Sequence, residues 1–234
     1  GAVSSRIDAM TIRTSFVQRL PFSASQYRRY LPILPLAIES FDFSGFNLIV
    51  STSHCVAKGA RPADGALHVC YCHTPMRYVW EMYDEYFGMG RAGLLTRMGM
   101  SLLRPALQQW DVRTSTRVHA FIANSRNVAD RIRLHYGRGA DVLYPPVETS
   151  RFGISAEREG YWLVVSALVP YKRVDLAVRA FTRLGRRLVI AGSGPEAGRL
   201  KRIAGPTISF LGWVPDRDLP RLYARAEALI FPGE

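Results

Sequence analysis

The sequence predicts an α/β protein made of two Rossmann-like domains. Three observations point there: short continuous apolar runs, helix-period stripes between them, and a polar break opened by a proline pair. At roughly 100–200 residues per domain, a chain of 234 residues holds one large domain or two small ones. Its 48% hydrophobic and 21% charged content is that of a globular protein and excludes global disorder.

In the first half the apolar runs fall at residues 46–50, 67–72, 118–123 and 141–144. They are less regular than those of the second half but of the same class. Residues 127–136 read as a helix that Ser125 caps and Gly137 ends. Pro145-Pro146 then forbids a helix or an inner strand, and residues 147–160 are polar and mixed. The boundary is placed there, with domains at 1–146 and 147–234.

The second half alternates apolar runs at 161–167, 187–191, 207–211 and 228–231 with helical patterns. Continuous runs of this length without polar alternation suit strands buried on both faces of a parallel sheet. Val174, Ala177, Val178 and Phe181 form a helical stripe that stops before Gly185, and Leu219, Leu222, Tyr223 and Ala226 form another. Such β-α alternation implies right-handed crossovers. The chain ends at Pro232-Gly233-Glu234, directly after an apolar run that an α/β domain would normally cover with a helix. The expectation is therefore a fragment of a longer protein.

Residues 1–13 lack the apolar core of a signal peptide, and no apolar run reaches the ~18–20 residues that span a bilayer. Lys and Arg number 31 against 19 Asp and Glu, for a net charge of +12. An anionic partner follows from that sign. The excess is divided evenly about residue 150, and neither a basic arm nor a recognition-helix pattern is present, so nucleic acid is not expected as a partner. Cys55, Cys70 and Cys72 are odd in number, and their spacing suits neither a disulfide framework nor a zinc knuckle. A reducing, cytoplasmic setting without a metal centre is expected.

In an open parallel sheet, ligands lie beyond the carboxyl ends of the strands. That rule selects His73-Thr74-Pro75, Asn124-Ser125, Pro170-Tyr171-Lys172, residues 192–196 and Gly233-Glu234. The run Gly192-Ser193-Gly194-Pro195-Glu196-Ala197 has the form G-x-G-x-x-A, which suits close backbone approach to a diphosphate or a plain tight turn. A dinucleotide site would want an acid after the next strand, where Gly212-Trp213 stands instead. Lys172 and Arg173 could neutralise phosphates or form an ordinary surface pair. Strand alternation sets His73 on the face opposite Cys70 and Cys72, where it either bonds a substrate or satisfies a loop. The aromatics of residues 76–87 line an acceptor cleft or belong to the core. Residues 91–110, rich in leucine, methionine and arginine, suit a helix on an anionic bilayer or one packed on its own domain.

The segments CYCHTPMRYVWEMYDEYF (70–87), FIANSRNVADRI (121–132), LYPPVETSRF (143–152), LVVSALVPYKRVDLAVRAF (163–181), LVIAGSGPE (188–196) and FLGWVPDRDLPRLYARAEALIFPGE (210–234) resemble family 4 retaining glycosyltransferases of the GT-B fold. Bacterial mannosyltransferases of surface-polysaccharide assembly are the most similar subgroup. The resemblance implies an acceptor domain, then a nucleotide-sugar domain, both incomplete here, with reaction in the cleft between them. It implies a GDP- or UDP-sugar donor with no separate cofactor or metal, and a polysaccharide or lipid-linked glycan acceptor. Peripheral contact with the inner membrane face is compatible with it. By the same resemblance His73 stands near the transferred sugar, Lys172 on the donor diphosphate, and Gly192 and Gly194 at the glycine turn.

Two departures accompany it. Ala167 stands where many members carry an arginine, which leaves Arg173 or another group to supply the second charge. The family's E-x₇-E motif would begin at or just after Glu234. This sequence is accordingly expected to be inactive alone, and a nucleotide- or anion-binding module without chemistry is the alternative function.

Overall fold

The computed structural model describes residues 7, 9–23, 27–90 and 93–233. The chain divides into two compact units, Gly1–Pro145 and Pro146–Glu234. Each contains one parallel sheet.

In the first unit the strands are β1 (Leu48–Ser53), β2 (Leu67–Cys72), β3 (Ala120–Ala123) and β4 (Asp141–Val142), in that spatial order. Helix α1 (Leu34–Glu39) precedes β1, α2 (Tyr83–Phe87) and α3 (Leu94–Thr114) link β2 to β3, and α4 (Arg126–Tyr136) links β3 to β4. The caps of α4 are those its sequence predicts. Ser125 Oγ accepts the Val128 N–H at 3.2 Å, and Gly137 ends the helix at φ +63°, a left-handed conformation that glycine adopts without a Cβ clash.

The reading of unbroken apolar runs as strands covered on both faces does not extend to β1 and β2. Their burial alternates: Ile49, Ser51 and Ser53, with His68, Cys70 and Cys72, point inward, while Leu48, Val50 and Leu67 are more than half exposed. An aliphatic run shows that burial is tolerated, but the neighbouring layers decide whether both faces receive it.

Beneath this sheet lies a charged core. Lys58 Nζ stands 3.1 Å from Asp111 Oδ1 and donates to Thr114 Oγ1 at 2.9 Å, with both charged side chains sealed from solvent. Asp111 Oδ2 accepts from Trp80 Nε1 at 2.8 Å and from the Tyr136 hydroxyl at 2.9 Å. Lys58 also lies over the rings of Trp110 and Tyr136. These contacts offset part of the cost of desolvating the pair, while Asp111 Oδ1 faces the ammonium as its ionic partner and makes no hydrogen bond.

In the second unit β5 (Trp162–Val165), β6 (Leu188–Ala191) and β7 (Ile208–Gly212) pair in sequence order. Helices α5 (Val174–Leu184), α6 (Ala197–Ile203) and α7 (Leu219–Arg225) follow them in turn. The stripe Val174, Ala177, Val178 and Phe181 is buried, as its spacing predicts, and Gly185 ends α5 at φ +63°. All four residues of β6 are buried, but β7 alternates between half-buried and exposed positions, with Leu211 exposed, so the expectation of strands buried on both faces fails there as well. The predicted fourth strand is reduced to a short parallel pairing: Leu163 N–H donates to Ala228 O at 3.0 Å, and Ile230 N–H to Leu163 O at 2.7 Å. The order is thus 228–230, β5, β6, β7. The chain steps outward from β5 and then returns to its other side, which makes the gap between β5 and 228–230 a topological switch point.

Candidate functional site

The rim of the second sheet is assembled by backbone contacts. Gly192 has φ +143°, and a Cβ built on it would stand 1.9 Å from Ser166 O; one on Gly194, at φ +157°, would stand 2.4 Å from Leu168 O. Both positions require glycine, and the surface they approach is the chain's own β5 loop. Four hydrogen bonds stitch the rim together: Ser166 N–H to Ala191 O at 3.0 Å, Leu168 N–H to Ser193 O at 2.9 Å, Glu196 N–H to Leu168 O at 3.0 Å and Gly192 N–H to Gly212 O at 2.6 Å. The glycine turn therefore fixes the loop that leads to Lys172.

A cavity of about 310 Å³ opens at the carboxyl ends of β5, β6 and β7. Ser166, Ala167, Gly192, Ser193, Trp213 and Asp216 are among the residues lining it. The sequence reading takes Gly212-Trp213 only as the lack of a dinucleotide acid and does not select Trp213 or Asp216; the rim rule applied after β7 points to both. Arg151 donates to Asp216 O at 2.7 Å and holds that loop.

Lys172 ends the short 3₁₀ turn Pro170–Lys172 beside the switch point. Its Nζ lies 5.1 Å from the ring centre of Phe231 and 5.8 Å from that of Tyr171, and Gly233 packs on its backbone. Among the described residues no carboxylate pairs with it. Arg173 differs: its backbone is left-handed at φ +46°, and its Nε lies 3.4 Å from Asp175 Oδ1. The adjacent cations are thus unequal, because only Arg173 has a counter-charge. Such a strained non-glycine residue persists where its surroundings determine it. Glu196, at the start of α6, accepts from Arg199 Nε at 2.7 Å. Glu234 lies outside the described residues.

His73 lies in the first unit, just past β2. Its N–H donates to Ser53 O at 2.7 Å, and its exposed ring meets Tyr71 edge-on at 5.2 Å. Neighbouring Thr74 is buried and accepts from Arg131 Nη1 at 3.4 Å. A separate apolar cavity of about 330 Å³ lies near the end of β1, with Leu31, Leu34, Cys55, Tyr78 and Phe87 in its wall. In the aromatic segment Met76, Tyr78 and Val79 are core and Trp80, Tyr83, Tyr86 and Phe87 pack against it, with Tyr78, Tyr86 and Phe87 also lining this cavity. Burial, aided by the Asp111 carboxylate, pushes the Cys55 thiol up to about 12, so it stays protonated at neutral pH. Among the described residues, no cluster of histidine, cysteine and carboxylate side chains is arranged to hold a metal ion. No described helix is long and apolar enough to cross a membrane.

Comparison with known proteins places this geometry. The model of Glycosyltransferase Family 4 matches residues 5–151, and that of Glycosyl transferases group 1 matches residues 159–234. A GDP-mannose-dependent alpha-(1-6)-phosphatidylinositol monomannoside mannosyltransferase of Mycolicibacterium smegmatis is 31% identical over 132 residues, which cover 46% of this chain and 35% of that protein. The chain thus aligns with about a third of that relative's length. HepE of Anabaena, crystallised with UDP, superposes with a TM-score of 0.55 at 15% identity, over 89% of this chain and 58% of its own. A mutant of TarM from S. aureus, solved with UDP and sugar ligands, gives 0.50 at 11% identity, over 71% and 32%. At these identities the likeness is one of fold, the two Rossmann-like units of the GT-B class. With more than half of its residues matched by a single family model, the chain belongs to glycosyltransferase family 4.

Proposed function

We propose that this chain is the part of a retaining hexosyltransferase that binds a GDP- or UDP-sugar and transfers its hexose, mannose, to a polysaccharide or lipid-linked glycan. The observation that supports it most is Lys172, a half-buried cation with no described carboxylate partner, at the switch point of the second sheet. Mannose draws its support from the partial match to a GDP-mannose-dependent relative. Three free, buried cysteines accord with a cytoplasmic setting.

In the proposed reaction the bond from the anomeric carbon to the donor phosphate oxygen breaks. The acceptor oxygen bonds on the same face, its proton passing to the departing diphosphate, so configuration is retained. One additional negative charge develops on the leaving group as that bond breaks, and a fixed cation stabilises it without reorganising. Lys172 fills that role. Arg173 is a weaker second candidate because Asp175 shares its charge. Gly192 and Gly194 hold the β5 loop in register, Gly192 borders the donor cavity, Glu234 is the further donor contact, and His73 orients the sugar.

Titration with GDP, UDP and the parent nucleosides tests donor binding, and a product assay with GDP-mannose on a chain extended at both ends tests transfer. Diphosphates binding no better than nucleosides would remove the donor site. Binding without product would favour the anion-binding module. In the extended chain His73→Ala is expected to lower turnover with donor affinity unchanged.

A further inference from the structure

Arg77 is a cation without a counter-charge beside an apolar cavity. Its Nε is buried and donates to nothing, and among the described residues no carboxylate pairs with its guanidinium. Arg104, Arg117, Arg131 and Arg138, half-buried as Arg77 is, each have a carbonyl or carboxylate partner: Val79 O, Glu39, Glu81 and Val118 O in turn. A buried N–H with no acceptor carries its full desolvation cost, so such a donor calls for an acceptor from outside the chain.

The surroundings say what kind. The guanidinium carbon of Arg77 lies 5.6 Å from the ring centre of Tyr78, and its charge opposes the burial that raises the Cys55 thiol. Tyr78 and Cys55 both belong to the wall of the first unit's cavity of about 330 Å³. That volume falls within the ~300–1,000 Å³ of small-molecule sites. Leu31, Leu34, Val56, Tyr86 and Phe87 make the wall mostly apolar, and Thr52 and His54 carry it to the end of β1. Ser53 and Cys72 are register partners, so His54 and His73 leave adjacent strand ends. The cavity therefore lies at the rim that carries His73. An apolar hollow beside one unpaired cation complements an amphiphile, with hydrocarbon for the wall and an anionic group for the guanidinium.

We infer that this cavity binds a phosphate ester bearing a hydrocarbon chain, with the phosphate on Arg77 and the chain against the apolar wall. On the transferase reading above, which this deepens and on which it rests, the ligand is the acceptor. Of the two acceptors in that reading, only a lipid-linked glycan has both parts, joined through a phosphate.

Calorimetric titration of the 234-residue chain with decyl phosphate, decanol, decanoate and inorganic phosphate, each below its aggregation limit, separates the parts. Decyl phosphate is expected to bind about tenfold or more tighter than decanol or inorganic phosphate, and tighter than decanoate. Arg77→Gln should weaken decyl phosphate about tenfold, with decanol binding and melting temperature unchanged, because Nε gives up no bond within the fold. Arg77→Lys keeps the charge without the fork and should recover part of the loss. Decyl phosphate binding no tighter than decanol, or equally well to Arg77→Gln, would overturn the inference. Decanoate matching it would mean a site for fatty carboxylates, and inorganic phosphate matching it a site for free anions; either result overturns the inference too. The four probes on the unaltered chain decide the matter even where a variant fails to fold. No nucleotide is present, so failure here removes the acceptor site and leaves the transferase reading to its titration with GDP and UDP.

Discussion

The first unit buries Lys58, His68, Asp111, Thr114 and Ser115, whereas the buried side chains described in the second unit are apolar apart from the hydroxyl of Tyr161, which donates to Leu222 O. The two units share a strand arrangement and differ in what specifies it. Directional contacts hold the first, with Lys58 set between Asp111 and Thr114. Volume holds the second, where Val164, Leu168, Val178, Ile190 and Leu200 fill a single cluster. Alike folds can thus fail in different ways, by stranding a charge in one and by backbone overlap or a void in the other.

The largest expected effect breaks the charged core. Asp111→Ala strands the Lys58 ammonium and removes the acceptor of Trp80 and Tyr136, at about 3–5 kcal/mol. Urea unfolding followed by tryptophan fluorescence can separate the units, because Trp80 and Trp110 report on the first and Trp162 and Trp213 on the second. Only the first transition should move, and Lys58→Met with Asp111→Leu should recover most of the loss. A change under about 1 kcal/mol would mean that the pair is not what holds this core.

Next comes Gly192→Ala, which forces a methyl into Ser166 O and should destabilise the second unit by about 2–3 kcal/mol. Its counterpart at a glycine with open space around it, Gly99→Ala in α3, should be tolerated. Equal transitions for both variants would refute the close approach between the two loops.

Lys172→Ala should leave stability nearly unchanged and weaken nucleoside-diphosphate binding by about 1.5–3 kcal/mol, with nucleoside binding hardly altered. Arg173→Ala should weaken it less, since that charge is already paired with Asp175. Losses equal for nucleoside and diphosphate would take Lys172 off the phosphates.

The smallest effect is a pH slope. Burial holds the His68 imidazole below its ordinary pKa. Arg117 O can only accept, so Nδ1 carries the proton, at 3.2 Å, and Nε2 accepts from the Ser51 hydroxyl at 2.8 Å. The unfolded chain binds a proton that the folded one refuses, so this contribution is full above about pH 6.5 and is lost progressively as pH falls from there to the lower folded-state value. The first transition should weaken on acidification, and His68→Gln should flatten it. All five histidines precede residue 145, so the second transition should stay level across the same window. A slope retained in His68→Gln would assign the effect elsewhere.

Much of this could be read locally. The α5 stripe, the Ser125 and Gly137 caps, the strand that ends just before His73 and the glycine turn are encoded by residues a few places apart, because helix and strand periods and left-handed turns are properties of short segments. The rim rule selects Lys172 from chain order alone, and applied after β7 it selects Trp213 as well.

What only the tertiary structure decided depends on residues far apart in the chain. Lys58 and Asp111 are separated by 53 positions and neither carries a pairing signal. Residues 228–230 had to return to the free edge of β5 before the gap beside Lys172 became a switch point. That Gly192 and Gly194 press on their own chain, that β1 and β2 are covered on one face while β6 is covered on two, and that Arg173 is neutralised while Lys172 is not, all follow from which layers and loops come into contact. A local pattern states what a residue can tolerate, and the packed neighbours determine which of those options is realised.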